Sequence, residues 1–120
     1  MPHSEEKYLH DIVDACSRID TYTAGLSFNG FSSALIVFDA VARCLEWIGE
    51  SVRQLTKHYP STSHLFPDAA AMIGLRNILA HDYGEVDEAR VWWVVQNKVP
   101  ELQARIEAEL TLRKERKDNG

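Results

Sequence analysis

Residues 32–58, SSALIVFDAVARCLEWIGESVRQLTKH, have the clearest structural pattern in the chain. Their apolar side chains recur at steps of three and four residues, which places them on one face of an α-helix. The steps are heptad-like, as in a helix packed within a bundle. The positions are Leu35, Phe38, Val41, Ala42, Leu45, Ile48, Gly49, Val52 and Leu55. We therefore predict one long bundle helix over this segment.

Four other segments also have helical spacing. The first begins near Ser4, which is followed by two acidic residues of the kind that suit a first helical turn. The others begin at residue 67 or 68, near residue 87 and at Pro100, where a proline is tolerated at the start of a helix. The predicted fold class is therefore all-α: a single domain over residues 1–120, built as a bundle of about four to five helices.

Residues 91–95, Val-Trp-Trp-Val-Val, form an apolar run. A buried strand is one interpretation, but no partner strand is evident elsewhere in the sequence, so we favour a helix. A helix that is apolar on every side has to bury more than one face. We expect a homodimer with the third and fourth helices near its two-fold axis; a fully internal helix is the alternative.

Composition limits the classes of function. The chain of 120 residues is 45% apolar and 26% charged, with a net charge of −5. These fractions are typical of a globular protein, and the acidic balance argues against one that coats nucleic-acid phosphates, so we expect no DNA partner. With two cysteines, no membrane-length apolar run and no signal-peptide core, a cytoplasmic protein without membrane contact is predicted. Residues 113–120 are expected to be a frayed, basic helix end.

Chemically able side chains are concentrated in residues 76–84, RNILAHDYG, at the end of the predicted third helix. The sequence has no glycine-rich phosphate loop, no His-Glu-x-x-His motif and no nucleophile elbow. Its five histidines are scattered, and no Glu-x-x-His pair exists, so we predict neither a metal site nor a cofactor.

The geometry of this segment leaves two interpretations open. Arg76 and His81 lie about 140° apart on an ideal helix, so one straight helix does not direct both at one point. They converge if the helix deforms near Gly84 or if two copies of the chain face each other. In the alternative, His81 caps helix carbonyls and Arg76 pairs with Glu46 or Glu50.

The long helix also has a polar stripe, formed by Asp39, Arg43, Glu46, Glu50 and Arg53. The spacing of Asp39 and Arg43 allows an ion pair. The stripe is either a solvated or interface-facing surface, or a surface on which Arg43 and Glu46 shape an active cleft.

The pattern R-N-x-x-x-H-x-Y at residues 76–83 resembles the Arg-x4-His-x-Tyr motif of HEPN-domain toxins. Residues 38–50 are similar to the long-helix signature of the HepT branch of that family. Three shorter segments also fall at the expected places: 73–77, 86–87 and 99–102. The likeness spans roughly residues 5–112. One departure lies at residues 66–71, FPDAAA, where the branch usually has a tryptophan.

The resemblance implies an all-α homodimer that acts on RNA as a metal-independent ribonuclease toxin, paired with a small nucleotidyltransferase antitoxin of the MNT type. By the same resemblance, Arg76 and His81 are the catalytic pair, and Tyr83 is the residue to which the antitoxin transfers AMP. The supporting residues that we expect are Asn77, Asp82, Arg43 and Glu46.

A second function uses the same fold. A non-catalytic helical subunit would bind a nucleotide or a protein partner through the same groove. The presence of both Arg76 and His81 favours catalysis, because a scaffold needs neither.

Overall fold

The computed structural model describes residues 3–120, which form six α-helices and two short 3₁₀ turns without a strand. The helices are α1 (Glu5–Thr23), α2 (Phe28–Ser33), α3 (Leu35–His58), α4 (Ala69–His81), α5 (Glu88–Asn97) and α6 (Val99–Asn119). The 3₁₀ turns are Pro60–Leu65 and Tyr83–Glu85. The all-α prediction is confirmed. No helix within residues 3–120 is long and apolar enough to cross a membrane.

The central element is α3, which packs against α1 on one side and α4 on the other, while α6 packs against α1 and α5. The predicted apolar stripe of α3 is buried from Phe38 to Leu55, with Val41 and Val52 fully buried, whereas Leu35 at its start is 71% exposed. Leu9 and Ile12 of α1 and Ile106 of α6 complete the same core. Each such side chain contributes about 1.5–3 kcal/mol to folding by leaving water.

The segment before α3 differs from the prediction. The predicted long helix begins at residue 32, but in the structure α2 ends at Ser33 and α3 starts at Leu35. Phe31 explains the extra helix: it is fully buried and stacks on Trp92, with ring centroids 5.0 Å apart. One buried aromatic ring in six residues gives no periodic signal, so the sequence pattern missed α2.

The 91–95 run is helical, so the strand interpretation is wrong, and the fully internal helix is wrong as well. Within α5, Val91 and Val95 are buried and Trp92 is half-buried against the core. Trp93 points outward and is 53% exposed. A single chain therefore covers only part of this apolar helix.

At the C-terminal end, α6 continues to Asn119. Arg113 lies between the carboxylates of Glu5 and Glu109, and Lys117 pairs with Glu6 at 2.8 Å. The first turn of α1 thus supplies acids to the last turns of α6, and these ion pairs hold the basic residues in helical geometry.

Candidate active site

The site is built around a close crossing of α3 and α4. A Cβ atom placed on Gly49 of α3 would lie 2.3 Å from the Cβ atom of Arg76 and 2.9 Å from the carbonyl oxygen of Met72. Both separations are far below van der Waals contact, so no residue other than glycine fits without moving α4. Gly49 thereby brings the backbone of α4 close enough for Arg76 to lie along α3.

Arg76 is held at this crossing by side chains from both helices. Its Nη2 atom lies 3.3 Å from Oε2 of Glu50, and its Nη1 atom donates to Oδ1 of Asn77 at 3.0 Å. The side chain is 24% exposed, and its Nε atom is buried with no hydrogen-bond partner among residues 3–120. Of the two partners proposed from the sequence, Glu50 rather than Glu46 pairs with Arg76.

Glu50 is the most constrained carboxylate of the site. Arg53 donates to both of its oxygens, at 3.1 and 2.8 Å, and Gln54 donates to Oε1 at 2.9 Å. The hydrogen bond from Arg53 lowers the pKa of Glu50 to about 2, with further help from Gln54 and the charge of Arg76. Glu50 is therefore ionised at any physiological pH.

His81 lies at the other end of α4, where it is the last helical residue and is exposed. Its side chain donates to no helix carbonyl within residues 3–120, and the N–H group of Asp82 donates to the carbonyl of Ile78 at 2.8 Å. Arg76 faces α3, and five residues later the helix has turned by about 140°. One chain alone does not bring Arg76 and His81 together.

Tyr83 lies on the 3₁₀ turn after α4 and contacts the start of α3. Its hydroxyl donates to Oδ1 of Asp39, and its ring lies edge-on to Phe38 at 5.9 Å. Burial, followed by the hydrogen bond to Asp39 and the charge of that carboxylate, raises the pKa of the Tyr83 phenol to about 12. The residue is nevertheless 44% exposed, so its edge faces solvent.

Arg43 and Glu46 pair with each other at 3.6 Å, and the Arg43 side chain is 77% exposed. The ion pair that the spacing of Asp39 and Arg43 allows does not form: Asp39 accepts a hydrogen bond from Tyr83, and Arg43 pairs with Glu46. Neither Arg43 nor Glu46 forms an ion pair with Arg76. Both lie on the same polar stripe of α3, to one side of the face that meets α4.

Three residues with direct partners at the site were not among the site residues expected from the sequence: Asp39, Glu50 and Arg53. All three belong to the polar stripe, and of them only Glu50 was named from the sequence as a possible partner of Arg76. The signal that could have identified these residues was the position of the polar stripe, which lies beside the apolar face of the central helix. Among residues 3–120, no three His, Cys, Asp or Glu side chains come together in a way that could hold a metal ion.

A cavity of about 400 Å³ opens between α3, α4, α5 and α6, on the other side of Gly49 from Glu50. Its floor is apolar, with Leu45, Met72 and Leu75 among its lining residues. Trp93 stands at its edge, with the ammonium group of Lys98 5.8 Å from the ring centre. The exposed ring and the cavity form one apolar surface beside α4.

Comparison with known proteins identifies the family. Residues 12–109 match the family described as Ribonuclease HepT-like. A Methanocaldococcus jannaschii protein named "Putative RNase MJ1380" is 31% identical over 102 residues, which cover 83% of this chain and 91% of the relative. A Thermococcus cleftensis protein named "Probable ribonuclease HepT" is 30% identical over 109 residues, covering 89% and 96%. No solved structure matches this chain.

The matched region begins within α1 and ends within α6, so it includes the crossing at Gly49 and the whole segment from Arg76 to Tyr83. Relatives from two archaea cover this chain nearly from end to end, and both are named as ribonucleases. The helical fold agrees with the HEPN resemblance of the 76–83 motif. The chain belongs to the HepT-like ribonuclease family of HEPN proteins.

Proposed function

We propose that this protein is a metal-independent ribonuclease toxin that acts in the cytoplasm, with Arg76 and His81 as its catalytic pair. The observation that supports the proposal most strongly is how few partners the N–H groups of Arg76 have. Its guanidinium has five N–H donors: one donates to Asn77, the Nε–H is buried, and Nη2 forms an ion pair with Glu50, so N–H groups of the two terminal nitrogens remain for a phosphate. A held cation with unused donors suits a phosphate, which accepts several hydrogen bonds at once.

The reaction uses the RNA's own 2′-hydroxyl. The 2′-oxygen forms a bond to phosphorus while the bond from phosphorus to the 5′-oxygen of the next nucleotide breaks, leaving a 2′,3′-cyclic phosphate and a 5′-hydroxyl. Imidazole accepts the 2′-hydroxyl proton, and imidazolium gives a proton to the leaving oxygen, which contributes about 10²–10⁴ in rate. Arg76 stabilises the charge that develops on the phosphate.

A homodimer completes the site. Two chains related by a two-fold axis near α4 and α5 place Arg76 of one copy opposite His81 of the other, and they supply one histidine as acid and one as base. The exposed Trp93 and its neighbouring cavity give this axis an apolar contact surface. Sedimentation should show twice the 13.6 kDa mass of the chain, and Trp93→Glu should shift the protein towards monomer. A wild-type monomer at micromolar concentration contradicts the dimer.

The supporting residues act on the charges around this pair. Asn77 accepts a hydrogen bond from Arg76, and Asp82 adjoins His81 at the C-terminal end of α4. Arg43 and Glu46 line the approach along α3. Confining positive charge to this groove reconciles an RNA substrate with a net charge of −5.

Tyr83 is the proposed point of control by an MNT-type nucleotidyltransferase. The phenol oxygen bonds to the α-phosphorus of ATP, pyrophosphate leaves, and the phenol proton passes to a base. Asp39, which already accepts the Tyr83 hydrogen bond, is placed to receive that proton. The attached AMP adds an anion that competes for Arg76 and a base that blocks RNA entry.

Co-expression with the partner tests this control. The intact mass of the chain should rise by one AMP or more, the increment should disappear in Tyr83→Phe, and it should persist in Tyr22→Phe, another partly exposed tyrosine. Neutralisation of an unmodified chain by the partner would contradict the proposed modification.

The nuclease proposal is tested with purified protein and an RNA oligonucleotide in EDTA. We expect cleavage to products with 2′,3′-cyclic phosphate ends. Activity that EDTA abolishes and magnesium restores would contradict the metal-independent mechanism.

One observation favours the second function, a non-catalytic binding subunit: a single chain does not align Arg76 with His81. RNA or nucleotide binding without any cleavage in the same assay would support that function.

A further inference from the structure

The polar cluster at the α3–α4 crossing consists of Glu50, Arg53, Gln54 and Arg76. It has more hydrogen bonds than an ordinary surface ion pair. Glu50 receives three hydrogen bonds from its own helix, two from Arg53 and one from Gln54. These contacts span three and four residues within α3, so they form wherever the helix forms. The Glu50 carboxylate is therefore oriented by side chains of its own helix.

Arg76 meets this fixed carboxylate through only one of its terminal nitrogens, Nη2. Glu50 therefore controls the direction of the guanidinium plane without using most of its donors. The close crossing at Gly49 keeps the Arg76 backbone near α3, and therefore near Glu50. Asn77 fixes the second terminal nitrogen at 3.0 Å.

Arg53 also makes the net charge of the cluster positive. Arg53, Glu50 and Arg76 together carry a net charge of +1. If Glu50 faced Arg76 alone, the pair would be neutral and would attract a phosphate weakly. Because the bidentate contact with Arg53 offsets the charge of Glu50, Arg76 stays effectively cationic.

We propose that Glu50, held by Arg53 and Gln54, is a positioning residue for RNA cleavage, which fixes the Arg76 guanidinium so that its free donors face the scissile phosphate. This inference rests on the proposed ribonuclease function of Arg76. Glu50 itself touches neither RNA nor the reacting atoms. Its effect on the reaction passes through the orientation of Arg76.

The kinetic test uses Glu50→Ala, Glu50→Gln and a control, Glu107→Gln, which removes one carboxylate from an exposed part of α6. Misplacing a catalytic group by about 1 Å can cost about 100-fold in rate. We expect Glu50→Ala to lower kcat by about 10- to 100-fold, with a smaller change in KM. Glu50→Gln, which keeps an oxygen acceptor, should lower kcat less than Glu50→Ala does. Glu107→Gln should have the kcat of wild type.

A second measurement does not depend on catalysis. The Nε–H group of Arg76 is buried, so it should give a protected ¹H–¹⁵N signal that is assigned by its loss in Arg76→Lys. The signal should broaden or vanish in Glu50→Ala and remain in Glu107→Gln. If wild type shows this pattern but cleaves no RNA, the proposed function fails while the positioning contact stands.

Two results would overturn the inference. One is wild-type kcat in both Glu50 variants. The other is an Arg76 Nε–H signal that is unchanged by Glu50→Ala. Should Glu50→Ala fail to fold, Glu50→Gln decides the question: a fall in kcat at an unchanged melting temperature supports positioning, and wild-type kcat refutes it.

Discussion

The two ends of the segment from Arg76 to His81 differ sharply in how firmly the fold holds them. Arg76 lies where α4 crosses α3, is 24% exposed and contacts Glu50 and Asn77. His81 lies five residues later at the end of α4, exposed and facing another direction. In the proposed reaction, the cation for the phosphate is thus prepared within one chain, whereas the proton-transfer group is presented outward.

This difference supports our proposal that the site is divided between two copies of the chain. A residue that must hold a phosphate benefits from rigid orientation before the substrate arrives. A residue that faces outward can serve a site shared with a second copy. The following predictions test each half of this comparison in order of expected effect.

Substitution of Arg76 or His81 should have the largest effect on RNA cleavage. Arg76→Ala and His81→Ala should each lower the cleavage rate by about 10²–10⁴-fold, because one removes the charge on the phosphate and the other removes proton transfer. Helical circular dichroism at 25 °C should match wild type in both variants. An unfolded variant would mean that the side chain is structural, and an active one would remove that residue from the catalytic pair.

The crossing is tested by two glycine substitutions. Gly49→Ala should destabilise the fold by about 1–3 kcal/mol, because its new methyl group would overlap Arg76 and Met72. The matched control is Gly74→Ala on α4, where nothing lies within 4 Å of the added carbon, and alanine should stabilise the helix by about 0.5–1 kcal/mol. Urea unfolding measures both changes. Equal effects at the two glycines would contradict the close crossing.

The turn that follows His81 is tested through the phenol of Tyr83. Its ionisation in selectively labelled protein should have a midpoint near pH 12, against 10 for an ordinary tyrosine. Asp39→Asn should lower that midpoint part of the way, since burial is the larger cause of the shift. The stabilisation linked to this proton is present below pH 10 and is lost as the pH rises through the raised pKa. A midpoint unaffected by Asp39→Asn would exclude the hydrogen bond.

The smallest effect is expected at Arg43. Its pair with Glu46 is long and its side chain is 77% exposed, so Arg43→Gln should change the free energy of unfolding by less than about 0.5 kcal/mol. Any loss of cleavage in this variant would then report on RNA contact rather than on folding. A stability loss of more than about 1 kcal/mol would show that the pair is structural.

The sequence predicted what depends on periodicity and could not predict what depends on pairing between helices. The apolar stripe of α3 and the extent of α4 are local patterns, and both are confirmed. The partners of Arg76 and Tyr83 depend on the register between α3 and α4, which spacing within one helix does not specify. The ordered end of α6 likewise depends on Glu5, 108 residues away. The family resemblance identified the motif, but not the contacts of Glu50.

The most direct test of the shared site combines two inactive variants. An Arg76→Ala chain and a His81→Ala chain, carrying different affinity tags, are co-expressed and purified as a mixed dimer. This dimer keeps one Arg76 and one His81 on opposite chains, and its matched control pairs a wild-type chain with a chain carrying both substitutions, which keeps one of each residue on the same chain. Both dimers lack the second histidine, so the account predicts cleavage below wild type in both and faster cleavage by the opposite-chain dimer than by the control. Equal or slower cleavage by the opposite-chain dimer would contradict a site composed of two chains.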